Sequence, residues 1–311
     1  MSRLPPGPHG GEGARLAALL GCPVEDVLDL SASLNPAADD PVPLLARHVG
    51  AVARYPDEHR ATRAVAETVG TDPERVVLTN GGAEAIALVA ALHPTGWADP
   101  DEFGLYRRHL RTVDPAGRRW MSDPHNPTGR LAPPSERAFV RDEAFYVLAT
   151  GRWSRHDAAT VVVGSFTKAF ACPGLRIGYV ICPTADMARR VERHRPRWAV
   201  NAIAAAALPE MLAAARPDRW LAVIADQRAA LVALLAGHGH AAAPSSANYV
   251  WLPDAAELRD ALLPHGILVR SGASFGRPAA VRIAVPTPSG LDRLSDALDT
   301  IRSCDDAAPA S

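Results

Sequence analysis

With 311 residues, 48% of them hydrophobic and 22% charged, the chain can bury one large core or two modest ones, which excludes a disordered chain and a small disulfide scaffold. Thirty-three basic residues against 34 acidic ones leave a formal charge of −1, so nothing offers nucleic acid or an anionic membrane an electrostatic footprint, and a small, locally recognised ligand is the expected partner. Cys22, Cys172, Cys182 and Cys304 lack metal-ligand spacing, no targeting segment opens the chain, and no uninterrupted apolar run approaches the roughly 20 residues of a spanning helix, so the expectation is a cytoplasmic protein with reduced thiols, no metal and no membrane span.

In chain order, the first forty residues mix glycine and proline punctuation with one short helical stretch near Ala14 to Leu20 and read as an arm that packs on another part of the chain. Arg75 to Asn80 is an apolar, β-branched run, and the helical spacing that starts at Gly81 makes this a strand, turn and helix. Thr160 to Val163 and Gly178 to Cys182 are two further strands, apolar enough to be buried on both faces, as in a mostly parallel sheet covered by helices. Beyond Pro183 the periodicity is helical, and a long helix from near Pro217 bridges to a region where short strands at 248–253, 266–270 and 281–286 alternate with helices. The expected organisation is an α/β fold with an arm or lid at residues 1–37, a large ligand-binding domain at 38–216, a smaller α+β domain at 217–303 and a disordered tail at 304–311.

One residue stands apart chemically. Lys168 is the only lysine, the other 32 basic residues being arginines. Arginine is effectively never neutral, whereas a desolvated lysine sheds its proton and attacks a carbonyl to form a Schiff base. Lys168 follows Ser165-Phe166-Thr167 at the end of a buried strand, where open α/β sheets bind ligands, and Arg176 lies eight residues on. Two hydroxyls and a fixed guanidinium make a phosphate site and leave the amine free to react. The spacing Ser-x-x-Lys also occurs in penicillin-recognising acylases, but these need a second lysine, and this chain has none. Asn80-Gly81-Gly82-Ala83-Glu84 places glycines at a helix start, where N–H groups and the helix dipole suit a phosphate dianion. Taken singly, that turn, Asn126-Pro127-Thr128-Gly129 and Asp142-Glu143-Ala144-Phe145 are each ordinary turns or solvated charges; together, in this order, they are not.

The order Tyr55-Pro56-Asp57, Asn80-Gly-Gly-Ala-Glu, Asn126-Pro-Thr-Gly, Asp142-Glu-Ala-Phe, Ser165-x-Thr-Lys and Gly174-Leu-Arg-x-Gly resembles the fold type I pyridoxal-phosphate enzymes, in the branch of histidinol-phosphate aminotransferase and threonine-phosphate decarboxylase, from about His9 to about Leu298. The resemblance implies pyridoxal 5'-phosphate as cofactor and a homodimer. It makes Lys168 the residue that holds the cofactor covalently and Asp142 the partner of the ring nitrogen, which keeps the ring an electron sink. Asn126 is matched to the ring hydroxyl, Phe103 to the ring face, and Ser165, Thr167, Arg176 and the amides of Gly82 and Ala83 to the phosphate, with Tyr55 reaching in from a neighbouring subunit.

By the same resemblance, Arg270 and Arg282 bind the carboxylate and phosphate of a small phosphorylated amino acid, and the opening His9-Gly10-Gly11 and Ser33-Leu34-Asn35-Pro36 look like the lid of threonine-phosphate decarboxylases, with His9 on the substrate phosphate and Asn35 lining the pocket. That makes decarboxylation of L-threonine O-3-phosphate in cobalamin biosynthesis the preferred expectation. An aminotransferase of the histidinol-phosphate type is the alternative, and a degenerate cofactor-binding scaffold or regulator is the alternative of another class. Regulators of this fold carry a basic helix-turn-helix in front, and no basic recognition helix precedes the first motif. The chain departs from its relatives by short stretches between Tyr106 and Asn126 and between Arg130 and Asp142, which predict a trimmed sheet and a more open site, and by Phe145 where many aminotransferases carry tyrosine.

Overall fold

The computed structural model describes residues 4–7, 9–155 and 157–307. Its strands are β1 (Leu28–Asp29), β2 (Val76–Thr79), β3 (Thr95–Trp97), β4 (Thr112–Val113), β5 (Arg118–Ser122), β6 (Val140–Asp142), β7 (Val161–Ser165), β8 (Gly178–Ile181), β9 (Tyr249–Leu252), β10 (Ile267–Leu268), β11 (Arg270–Ser271) and β12 (Val281–Ala284). The chain divides into two compact units, one of residues 38–126 and 131–221, the other of 1–37, 127–130 and 222–311. The division falls inside the helix Pro217–Gly237 rather than ahead of it.

The first unit is built on a seven-stranded sheet of order β2-β8-β7-β6-β5-β3-β4. β7, β6, β5, β3 and β4 run parallel, and β8 is antiparallel to both of its neighbours. β2, β7 and β8 carry the continuous β-branched and apolar runs expected of strands covered on both faces. Val77, Val140, Val161, Val163 and Val180 form one core with Ile86 and Val89 of the helix Gly81–Leu92 and Val191 of the helix Ala185–His194.

Among the described residues this sheet has seven strands. Where the sequence is short, the edge strands β3 and β4 are three and two residues long, and in the connection from β5 to β6 residues 123–139 form no helix. A parallel crossover usually carries a helix that buries the sheet beneath it. Here the covered face holds charge instead: Arg141 is fully buried on β6, its Nη2 donates to the Glu136 carbonyl at 3.1 Å, and its Nε and Nη1 stand 3.8 Å and 3.7 Å from Asp123 and Asp157.

The second unit has a three-stranded antiparallel sheet of order β11-β12-β9, with β1 of the amino-terminal arm pairing parallel to β10. Leu28 and Leu30 donate backbone N–H groups to Gly266 and Leu268, and Leu30 accepts from Ala284, so the arm is an integral strand of this unit. Leu231, Leu235, Val250, Ile283, Leu294 and Leu298 form its core. The helix Pro217–Gly237 reaches a mean hydropathy of 1.5 over its most apolar stretch and by length and composition alone is apolar enough to cross a membrane, although Asp226 and Arg228 interrupt its apolar run. Its Leu231 and Leu235 are spent in the core, and Arg228 donates to the carbonyls of Ser246 and Ala247. A correction concerns the tail: the helix Pro288–Ala307 continues through Cys304, because no glycine or proline interrupts the sequence between Gly290 and Pro309. Residues 308–311 of that expected tail lie outside the described residues.

Candidate active site

Sheet register assembles the cofactor-side residues. Ser122, Asp142 and Val163 stand opposite one another across β5, β6 and β7, and Ser165, Gly178 and Thr79 do so across β7, β8 and β2. The segments that leave these ends carry Asn126, Lys168 on the short helix Phe166–Ala169, and the amino terminus of the helix Gly81–Leu92, so all of them gather at one edge of the sheet. Two glycines make that approach feasible. Gly81 has φ +76° and a Cβ there would lie 2.6 Å from Arg176 Nη2, while a Cβ on Gly178 would lie 2.6 Å from the Gly81 carbonyl carbon. Arg176, itself at φ 55°, is exposed and donates Nη2 to the Asn80 carbonyl at 3.4 Å. Ser165 caps the lysine-bearing helix by accepting from the Thr167 N–H at 3.3 Å. The Thr167 hydroxyl is buried and makes no hydrogen bond.

Asp142 lies at the end of β6. Loss of hydration raises its pKa, opposed by the Ala144 N–H at 3.0 Å on Oδ1 and the Tyr106 hydroxyl at 2.9 Å on Oδ2. Tyr106 is fully buried between Phe103 and Trp120, with ring centroids 5.8 Å and 5.9 Å away. Behind it lies a second carboxyl, Glu102, only 2% exposed. Burial pushes Glu102 up to about 8, against the lowering effect of hydrogen bonds from Ser122 and the Phe103 N–H. Ser122 Oγ in turn accepts the Asn126 N–H at 2.7 Å, which fixes the start of the Asn126 segment.

In the second unit, Arg270 and Arg282 stand directly opposite each other on β11 and β12, 7% and 3% exposed. Arg270 donates to Ser274 Oγ at 2.9 Å and lies over the Phe275 ring; Arg282 donates to the Ser31 carbonyl at 3.2 Å and lies over Tyr249. Burial lowers both pKa values, to about 9 for Arg270, where the neighbouring Arg282 adds to the effect, and to about 10 for Arg282. The arm reaches the same place. Ser31 Oγ accepts the Gly11 N–H at 2.9 Å and is anchored on Asp29, and His9, Ser31, Arg270 and Ser271 line one tight cleft. Asn35 is buried and accepts the Ala37 N–H at 3.0 Å, while Asn248 holds the carbonyls of Ser33 and Leu34.

The predicted residues thus fall into two groups: Lys168, Asp142, Asn126, Phe103, Ser165, Thr167, Arg176, Gly82 and Ala83 in one unit, and His9, Asn35, Arg270 and Arg282 in the other. Tyr55 is 75% exposed and stacks on Trp198 at 4.4 Å, beside a surface depression of about 630 Å³ that it lines with Asn201 and Ile203. Sequence reasoning missed Tyr106, Glu102, Ser122 and Ser31. Tyr106 had a signal, since it follows Phe103 at helical spacing; the other three had none.

The residues of the first group fit pyridoxal 5'-phosphate. A buried threonine hydroxyl with no protein partner, a glycine-opened helix start, an arginine and a part-buried carboxylate gather around a single lysine. The pattern of the aminotransferase class I and II family matches residues 120–298, more than half of the chain. Histidinol-phosphate aminotransferase 1 of Dechloromonas aromatica is 28% identical over 345 aligned positions, covering 91% of this chain and 92% of that protein. Among solved structures, histidinol-phosphate aminotransferase from Sinorhizobium meliloti in complex with pyridoxal-5'-phosphate is similar with a TM-score of 0.80 at 20% identity, covering 97% of this chain and 96% of that one. L-threonine-O-3-phosphate decarboxylase from Porphyromonas gingivalis is similar with a TM-score of 0.76 at 23% identity, covering 89% of this chain and 100% of that one. The gathered lysine edge and the family match lead to one conclusion: the chain belongs to the aminotransferase class I and II family of fold type I pyridoxal-phosphate enzymes.

Proposed function

We propose that this enzyme removes carbon dioxide from L-threonine O-3-phosphate to give (R)-1-amino-2-propanol O-2-phosphate for cobalamin biosynthesis. The observation that carries the reading is the buried, directly opposed pair Arg270 and Arg282, tied through Ser31 to the His9-Gly10-Gly11 strap. Two guanidiniums held side by side in a buried setting suit a ligand with two anionic ends, a carboxylate and a phosphate. His9, exposed at the mouth of that cleft, donates to the substrate phosphate, and Asn35 lines the pocket.

The cofactor, when bound, supplies an electron sink for the pair released as the carboxylate leaves. Lys168 would hold it covalently, and its Nζ, when not so engaged, would be the group placed to hold or move a proton beside the substrate. Asp142 would keep a proton on the ring nitrogen, Asn126 would donate to the ring hydroxyl and Phe103 would cover the ring. Ser165, Thr167, Arg176 and the amides of Gly82 and Ala83 hold the cofactor phosphate, and Thr167 brings to it a hydroxyl with no other partner. The exposed Tyr55 and Trp198 belong to a homodimer contact, through which Tyr55 completes the neighbour's phosphate site.

A second reading, amino transfer from histidinol phosphate, is favoured by the names of the relatives, which are histidinol-phosphate aminotransferases at 28–29% identity. Purified protein offered threonine phosphate, serine phosphate and histidinol phosphate in turn separates the two. Release of carbon dioxide from threonine phosphate supports the decarboxylase; keto-acid-dependent amino transfer without carbon dioxide rejects it. A yellow protein that loses its colour in Lys168→Ala, and in which borohydride fixes the cofactor at Lys168, establishes the cofactor and its lysine, and turnover of any of the three substrates excludes a degenerate cofactor-binding scaffold.

A further inference from the structure

We propose that Glu102 holds a proton at the buried end of a hydrogen-bond relay that runs through Ser122 and Tyr106 to Asp142, and that it thereby sets how strongly Asp142 holds the proton on the ring nitrogen of the bound cofactor. The inference rests on the pyridoxal-phosphate reading and deepens it, since Glu102 is a positioning residue that acts through others.

Geometry carries the proposal. Glu102, Ser122 and Tyr106 are 2%, 3% and 0% exposed. Ser122 Oγ lies 2.6 Å from Glu102 Oε2, and the Ser122 N–H donates to Oε1 at 2.9 Å. The Ser122 hydroxyl also bonds to the Tyr106 phenol, whose own proton goes to Asp142 Oδ2 at 2.9 Å. A serine hydroxyl has one proton and two lone pairs, so its direction depends on Glu102. With Glu102 ionised, Ser122 donates to the carboxylate and the phenol oxygen loses a donor. With Glu102 protonated, the acid O–H donates to Ser122 Oγ, and the Asn126 N–H takes the second lone pair. The serine proton then turns to Tyr106, which becomes a stronger donor to Asp142.

The titratable groups that act on Glu102 are Asp142 and Tyr106, and the neighbouring Asp101 pairs with His125 at 3.8 Å. Burial and the charge on Asp142 keep the proton on Glu102 until about pH 8. When it leaves, Tyr106 weakens as a donor and a second negative charge faces Asp142. Both changes make Asp142 more basic and draw the shared proton off the ring nitrogen. Each proton transfer stays within the relay, so nothing is oxidised and no group is lost.

Two forms of the protein test this. In holoenzyme, cofactor absorbance followed against pH has a limb near pH 8 in the wild type. Glu102→Gln, whose amide donates to Ser122 at every pH, loses that limb and keeps the low-pH spectrum throughout. Tyr106→Phe, which retains the ring but cuts the relay, shrinks the limb to the part that the Glu102 charge exerts directly on Asp142. In cofactor-free protein, thermal stability reports the proton on Glu102 directly. Its folded pKa of about 8 lies above the ordinary 4.5, so its contribution is full below 4.5 and is lost as pH rises through about 8. Glu102→Gln flattens the upper part of that decline, whereas Tyr106→Phe keeps it, because the acid is still present. A holoenzyme titration of either variant that superimposes on the wild type overturns the relay, and so does an unchanged decline in cofactor-free Glu102→Gln. If the wild type shows no cofactor absorbance at all, the cofactor reading falls and the inference with it; the cofactor-free decline still reports separately whether Glu102 carries a proton.

Discussion

The two faces of β6 meet opposite demands one residue apart. Asp142 points to the edge where Tyr106 and the Ala144 N–H hold it, and its neighbourhood follows the family's motif order. Arg141 points the other way, into a buried set of charges: Asp123, which also accepts from Arg155 Nη1 at 3.1 Å and the Ala132 N–H at 3.0 Å, together with Asp157 and Glu143. Where the β5-to-β6 connection lacks its helix, an ion network held by the loop surrounds Arg141, whose neighbours across the sheet, Met121 and Val162, are buried. A short chain has thus kept its chemical face and rebuilt its structural one.

If that division is right, Arg141→Ala is a folding mutation. It removes the cation between Asp123 and Asp157 and leaves buried anions short of compensation, a change of about 3–5 kcal/mol. Chemical unfolding measures it, and a loss under about 1 kcal/mol would mean that the cluster is no more than a solvated surface network. Asp142→Asn is the converse case. Turnover falls by on the order of 10²–10³-fold as the ring nitrogen loses its charged partner, while the unfolding free energy holds or rises, because a desolvated carboxylate has gone. Destabilisation of Asp142→Asn on the scale of Arg141→Ala would erase the distinction between the faces.

Glu143 shares the structural face. Loss of hydration pushes it up to about 7, against hydrogen bonds from Ser154 and the Arg155 N–H and the charge of Arg141. The folded pKa is above the ordinary 4.5, so its stabilisation is complete below about 4.5 and declines as pH rises through about 7, by roughly 3 kcal/mol in all. Glu143→Gln flattens the stability profile over that window. An unchanged profile would place the charge balance of the cluster on Asp123 and Asp157 alone.

How much of this was legible depended on whether a residue's role is written in its neighbours along the chain or across it. Lys168, Asn126, Asp142 and the glycine turn were legible because each sits within a few residues of a strand end, and the register of a parallel sheet then delivers strand ends to one edge. Glu102 and Ser122 are 20 residues apart in sequence and meet only through side chains, so no local spacing announces them. Arg141 reads as a surface charge in any one-dimensional pattern, because a buried arginine is the exception among charged residues. The edge strands were not legible for a related reason: strands of two or three residues such as β4 and β3 leave almost no periodicity to read.

The smallest effect expected has the opposite sign. Arg270 and Arg282 are, like Arg141, buried guanidiniums, and they stand opposite each other across a strand pair, with Glu12 offsetting part of the effect of that proximity on Arg270. Desolvation lowers both pKa values and mutual repulsion lowers that of Arg270 further, so folding holds the pair together at a cost. Arg270→Met keeps much of the packing over Phe275, removes one of the two charges and raises unfolding free energy by about 1 kcal/mol. Affinity for threonine phosphate, followed by calorimetric titration of holoenzyme, falls in the same variant, as when one partner of a buried charge contact is truncated. A variant that gains stability and loses binding identifies the pair as built for a ligand. One that loses both identifies Arg270 as a structural cation of the Arg141 kind, and the anion site then has to rest on Arg282 and His9.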